Sequence, residues 1–370
     1  MLSLLLAKPV VVFQSPAWGY DTFRIPALHR TNRNTLLAFA EARQSQADAA
    51  GNHIVISQSV DSGKTWFILK AIAKPESGSF NNPTIVELPN NTLILHYQHY
   101  PANTHEYDVA PGHTGPKTVQ SYQITSTNDG RTWSAPMNLT AQIKNPEAHT
   151  LASGPGNGII LTRGKHKNRI VIPYNQRIGN RWFVNMAFSD DQGKTWKSGD
   201  PVPADPKLQP NEVQVVELAG GHILLNARNQ ASAKNRLTAT SRDGGKTFTP
   251  AVLDTNLPDP TCQGSIFRFA WPSLSKPGII AFSNPASSTS RTQGTLRLSL
   301  DEGKTWPQSQ LIEPDSFAYS SITKIDDKTI GILYEHVVNN RYQVLFRSIS
   351  VEPQDSLATF SAKAETSRSR

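Results

Sequence analysis

Ser189-Asp190-Asp191-Gln192-Gly193-Lys194-Thr195-Trp196 sets the architecture, because the chain repeats it. The other copies are Ser59–Trp66, Ser126–Trp133, Ser241–Phe248 and Ser299–Trp306, each with Ser, Asp or Asn, Gly, Thr and an aromatic in the same places. Each copy reads as a turn. The Ser and Asp side chains can bond backbone amides of a tight loop, Gly supplies positive φ, and the aromatic packs back between sheets. Asn128 replaces Asp in the second copy and can make the same side-chain-to-backbone turn. The copies lie about 50 to 70 residues apart, a period that signals a propeller or an array.

Between the turns the chain reads as short strands bounded by Gly, Pro, Asn or Asp. Among them are 53–59, 93–98, 169–173, 183–189, 212–218, 222–227, 237–241, 279–283, 294–299 and 329–334. No long amphipathic helix is offered. About four strands per repeat of roughly 60 residues is a blade, and the chain length holds roughly six. The expected fold is all-β, a six-bladed β-propeller whose sixth blade is completed by N- and C-terminal strands. Residues 1–9 read as an N-terminal segment, 10–352 as the propeller and 353–370 as a polar tail.

Composition agrees. The 370 residues are 37% hydrophobic and 18% charged, enough for a sizeable core, and 23 Gly with 26 Pro suit a protein full of turns. The single Cys262 excludes an internal disulfide framework and reads as a packed thiol. The ten His have no metal-ligand spacing. No apolar run approaches the roughly 18 residues needed to span a bilayer, and Met1–Ala7 is too short and lacks the basic start of a signal peptide. Net charge is +8, with Lys and Arg dispersed singly and no nucleic-acid-binding pattern, which favours a small acidic ligand or an acidic glycan over nucleic acid.

Five equivalent acids would lie around one rim of a ring, too far apart to act on one bond. Function should come from residues that break the repeat. Tyr20-Asp-Thr-Phe-Arg24-Ile-Pro26 has no later echo, and the next strand, Leu36 to Arg43 with Glu41, leads to a loop containing Asp48. Glu212, Arg228, Arg291, Tyr319 and Glu335 follow in phrases that occur once.

The Phe-Arg24-Ile-Pro motif plus five Asp-box turns resembles the exo-sialidase (neuraminidase) family of six-bladed propellers, over nearly the whole chain from about Val10 to Ser350. The resemblance implies that Arg24, Arg228 and Arg291 form a triarginine clamp, that Asp48 is the acid/base, Tyr319 the nucleophile and Glu212 its activating partner. It also implies that Glu335 holds Arg24, that Arg43 is a further substrate contact and Glu41 a supporting residue, and that Asn82 and Tyr174 lie at sugar-pocket positions. The substrates so implied are sialylated glycans. Neither a metal nor an organic cofactor is called for.

The chemistry accounts for these residue types. Sialic acid carries a carboxylate on its anomeric carbon, and guanidinium groups bind a carboxylate with a planar fork that Lys cannot offer. A carboxylate nucleophile would meet that carboxylate, whereas a neutral phenol does not, and sialidases with a Tyr nucleophile are the exception among retaining glycosidases. A non-catalytic Asp-box glycan-binding propeller would share the blades but not the unique residues. A trans-sialidase, or an enzyme preferring deaminated sialic acid, would keep them all and differ in pockets that Trp18, His96, Tyr107 and Trp182 are expected to line. The resemblance favours a secreted, periplasmic or lysosomal setting over the cytoplasm.

Overall fold

The computed structural model describes residues 2–231 and 233–353. Six sheets follow one another along the chain, antiparallel except that Gly156–Asn157 adds parallel to Ser79–Glu87. Blade 1 is Thr22–Arg30, Leu36–Arg43, His53–Ser59 and Phe67–Ala73; blade 2 is Ser79–Glu87, Leu93–Tyr100, Gln120–Ser126 and Met137–Asn138. Blade 3 is Thr150–Ser153, Ile170–Ile178, Arg181–Ser189 and Lys197–Ser198, and blade 4 is Pro210–Glu217, Ile223–Asn229, Asn235–Ser241 and Val252–Pro258. Blade 5 is Ser265–Ala270, Ile279–Pro285, Gly294–Ser299 and Gln308–Glu313. The six-bladed propeller is what the spacing of the turns predicts.

Blade 6 closes the ring as expected. Its first three strands are Ser320–Asp326, Thr329–Val338 and Arg341–Pro353, and its outer edge comes from the N-terminus. Leu2–Leu6 and Val10–Phe13 both pair antiparallel with Arg341–Pro353. Leu2, Leu4 and Leu6 alternate onto one face and pack against the core between blades 5 and 6, so the apolar start of the chain is an edge strand. Residues 354–370, nearly all of the stretch read as a polar tail, lie outside the described residues.

Each interface between neighbouring blades carries its own apolar cluster, six in all. The repeated turns lock these interfaces. In the first, the Ser59 hydroxyl donates to Asp61 at 2.8 Å and accepts the Gly63 amide at 2.9 Å, while Asp61 accepts the Thr65 amide at 2.9 Å. Gly63 has φ +88° and a Cβ there would lie 2.0 Å from the Phe346 ring, so only Gly lets the turn seat against blade 6. Trp66 then meets Phe346 edge-on at 5.3 Å, reaching back over the preceding blade. Asn128 reproduces the pattern, with its Oδ1 accepting the Thr132 amide at 2.9 Å.

Candidate active site

In a blade of antiparallel strands, the start of the first strand, the end of the second and the loop between second and third share one rim. The Asp-box turns join third to fourth strands and therefore occupy the opposite rim. Arg24, Asn82 and Glu212 lie near the starts of first strands, and Tyr319 immediately precedes one. Glu41, Arg43 and Arg228 lie at the ends of second strands, while Asp48 and Arg291 are in second-to-third loops. One rim collects them all.

Local backbone irregularity aims these side chains. The register shifts between Arg24 and Ala27, between Asn81 and Thr84, and between Pro210 and Val213, three bulges at the starts of three first strands. Ile25 (φ +57°) and Asn82 (φ +56°) are in the left-handed region, costly for a β-branched residue. The cost is met by carboxylates. The Ile25 amide donates to Glu335 Oε1 at 2.8 Å, and the Asn82 amide to Glu41 Oε1 at 2.8 Å. This explains the Arg-Ile-Pro phrase: Ile25 turns the chain so that Arg24 points into the cleft.

The cleft has a volume of about 220 Å³, and Arg24, Arg228 and Arg291 all line it. Arg24 donates through Nε and Nη2 to Glu335 at 3.1 and 2.9 Å, leaving Nη1 with no hydrogen bond among the described residues and only a 3.8 Å ion pair to Asp48. Glu335 is fully buried, and its ion pair anchors one edge of the guanidinium. Arg228 Nη1 donates to Glu212 at 2.7 Å, and its Nε is buried with no partner among the described residues. Among the described residues, the Arg291 guanidinium has only the Thr261 carbonyl, at 3.3 Å, as a hydrogen-bond partner. Three guanidiniums from three blades thus face one cleft with donors to spare, which suits a carboxylate ligand.

Tyr319 donates its hydroxyl proton to Glu212 Oε1 and lies 3.3 Å from Arg228 Nη1. Burial, and then the Glu212 charge, push the phenol well above its ordinary range, so it rests neutral. Asp48 stands on an exposed loop at the mouth. Partial desolvation pushes its carboxyl up, but Arg43 at 2.7 Å, with Arg24 behind it, outweighs this and holds the group below the usual range. Arg43 is itself fixed by Glu41 through Nε and Nη2 at 2.9 and 2.6 Å. Most of its donors are therefore spent on Glu41 and the Asp48 loop, and it positions Asp48 while lining the cleft.

Asn82 and Glu41 also line the cleft, and Asn82 is held by a 3.0 Å bond from Nδ2 to the Ser153 carbonyl. Tyr174 does not reach it. Its ring is fully buried between blades 2 and 3, with its hydroxyl 2.7 Å from His96 Nδ1 and 3.3 Å from Ser121. The neighbouring Asn175 lines the cleft instead. Ile170–Arg177 is buried on both faces, so no hydrophobic alternation marks which residues face the site. His96 and Trp182 are likewise not loop residues. His96 is in a buried strand and Trp182 begins a strand at 4% exposure. Trp18 and Tyr107 stand exposed on loops, neither among the cleft-lining residues.

Sequence reasoning missed Asn211, which adjoins Glu212, and the loop bringing Thr104, His105 and Glu106 to the cleft. The loop has no repeat against which its departure could be seen. Cys262 packs with Ile25, Ala318 and Tyr319, and burial pushes its thiol up to about 12, as a packed rather than reactive thiol requires.

Residues 34–333 match the family described as BNR repeat-like domain. A sialidase of Micromonospora viridifaciens is 34% identical over 345 residues, covering 88% of this chain and 51% of its own length. An exo-alpha-sialidase of Aspergillus fumigatus is 30% identical over 344 residues, 86% of this chain and 79% of that protein. Among solved structures, the Hadza microbial sialidase Hz136 superposes with a TM-score of 0.82 at 28% identity, over 92% of this chain and 68% of that one. The chain therefore spans about half the length of the Micromonospora relative and most of the Aspergillus one.

Proposed function

Since the chain belongs to the sialidase family of BNR-repeat proteins, we propose that it is an exo-α-sialidase that releases terminal sialic acids from glycoproteins, glycolipids and oligosaccharides with retention of configuration. The observation that carries the reading is the hydrogen bond from the Tyr319 hydroxyl to Glu212 beneath guanidiniums from three blades.

In this reading the substrate carboxylate takes the spare donors of Arg24, Arg228 and Arg291, which sets the anomeric carbon over Tyr319. The phenol oxygen attacks that carbon while Glu212 accepts its proton, and Asp48 gives a proton to the departing glycosidic oxygen. Arg228, in contact with both Glu212 and the phenol oxygen, stabilises the charge that develops there. In the second step Asp48 takes a proton from water, the water oxygen bonds to the anomeric carbon, the tyrosyl bond breaks and Glu212 returns the proton. Two inversions give net retention.

Asp48 must carry a proton in the first step although Arg43 and Arg24 favour its ionised form. A bound substrate carboxylate offsets the charge of Arg24, and the bound sugar displaces water from the cleft. Both changes raise the Asp48 pKa when it is needed as an acid.

The test is turnover of a fluorogenic α-sialoside with proton NMR of the sugar released, with and without lactose as acceptor. The expected first product is the free α-anomer. A first product of inverted configuration would overturn the tyrosyl intermediate, and transfer to lactose in place of hydrolysis would make the enzyme a trans-sialidase.

A further inference from the structure

The guanidinium of Arg24 is held at its edge by Glu335, and its carbon also lies 4.3 Å from the centroid of the Tyr342 ring. Strand register explains how one residue of blade 1 meets both. Glu335 pairs with Val344 and Val337 with Tyr342, so in the period-2 alternation Glu335, Val344 and Tyr342 share one face of blade 6. Val344 packs into the cluster between blades 1 and 6, so that face is turned toward Arg24.

The hairpin that presents Tyr342 is tied down at its tip. Its two turn residues, Asn339 and Asn340, both have positive φ, which matches a tight two-residue hairpin loop. The Asn340 carbonyl accepts from Gln46 Nε2 at 3.2 Å, in the loop that carries Asp48. Arg341 pairs with Asp21 at 2.7 Å, three residues before Arg24, and the Asp21 amide bonds the Arg43 carbonyl at 2.9 Å.

We propose that Tyr342 is a positioning residue of the carboxylate clamp, its ring holding the Arg24 guanidinium so that Nη1 stays presented to the substrate carboxylate. An edge-bound guanidinium can still tilt about the axis through its two bonds to Glu335. An aromatic ring over it opposes that tilt, by quadrupole attraction and by contact. The inference rests on the sialidase reading and adds to it a residue that touches the clamp and not the reacting atoms.

The experiment compares Tyr342→Phe, Tyr342→Leu and Tyr342→Ala with wild type, reading KM and kcat for an α-sialoside, inhibition by the planar 2,3-dehydro sialic acid, and melting temperature. Phe keeps the ring and should stay within about 2-fold of wild type in every parameter. Leu keeps apolar bulk without a ring, and should melt near wild type while KM and the inhibition constant rise about 10-fold, with kcat within about 2-fold. Ala should show the same kinetic split with a lower melting temperature. Leu binding as tightly as wild type, or Phe as impaired as Ala, overturns the proposal. A wild-type protein that neither cleaves the sialoside nor binds the inhibitor overturns the sialidase reading and this one with it; an active wild type beside an unaffected Leu variant overturns this one alone.

Discussion

Arg24 and Glu335, 311 positions apart, meet in two parallel N–H···O bonds of 3.1 and 2.9 Å across the seam where the last blade closes on the first. The proposed clamp is thus completed only when the ring is. Glu335→Gln should weaken binding of the 2,3-dehydro inhibitor by about 30-fold and lower stability by about 3 kcal/mol, because it leaves a buried cation without its partner. Calorimetric titration and denaturant unfolding read the two effects separately. A Gln variant with wild-type affinity would remove Glu335 from the clamp.

The clamp residues themselves should respond to shape as well as charge. Arg24→Lys, Arg228→Lys and Arg291→Lys each keep the charge and lose the planar fork. Each should cost about 2 kcal/mol or more in inhibitor affinity, roughly 30-fold, with far-UV circular dichroism unchanged. Wild-type affinity in the Arg228 variant would mean that its contact with Glu212 is its whole role.

Tyr319 and Glu212 should behave as one unit. Tyr319→Phe and Glu212→Gln should each lower kcat by about 10² to 10⁴, and the double variant should be little worse than either. Losses that multiply would show two independent roles.

The pH profile follows from Asp48. Its free-state carboxyl is held below the usual range, so kcat/KM, which reports the free enzyme, should rise as pH falls from 7 toward 4 and more of the carboxyl is protonated. The bound substrate carboxylate offsets Arg24, so the descending limb of kcat should lie at higher pH than that of kcat/KM. Superposed limbs would argue that substrate binding leaves Asp48 unchanged.

Acid stability is a separate matter, and buried His96 contributes to it. Burial pushes its pKa down from 6.5 to about 3, and a 3.1 Å bond to Gln123 Oε1 places its proton on Nε2, leaving Nδ1 to accept from Tyr174. Because the folded pKa is depressed, the stability associated with neutral His96 is present above pH 6.5 and drains away as pH falls toward 3. At pH 4.5 the unfolded chain has gained about 3 kcal/mol relative to the folded one. His96→Gln should therefore lose less stability than wild type between pH 7 and pH 4.5 in urea unfolding at the two values. An equal loss in both proteins would move the acid sensitivity elsewhere.

The fold was legible because its signal is local. The side-chain bonds of the repeated Ser and Asp or Asn span four residues or fewer, as in Ser59 to Gly63 and Asp61 to Thr65, so the phrase forms its turn wherever it occurs and its spacing counts the blades. The residues proposed for the clamp, the Tyr–Glu pair and Asp48 stand out by another route, as single phrases that break the repeat and match a known pattern. Tyr174 was misjudged for a physical reason. In a strand buried on both faces the period of two leaves no trace in hydrophobicity, so Tyr174 and Asn175 cannot be told apart by eye.

Turn chemistry and strand patterning act within a few residues of the chain, so the blade, the number of blades and the residue types of the proposed site are readable without a structure. Which of those residues meet is a matter of tertiary packing. Tyr319 reaches Glu212 across 107 positions, and Tyr342 reaches Arg24 through the register of a hairpin in another blade. Contacts of that kind depend on the angle between blades and on ring closure, which arise from the packing of six apolar interfaces together and are written in no single segment.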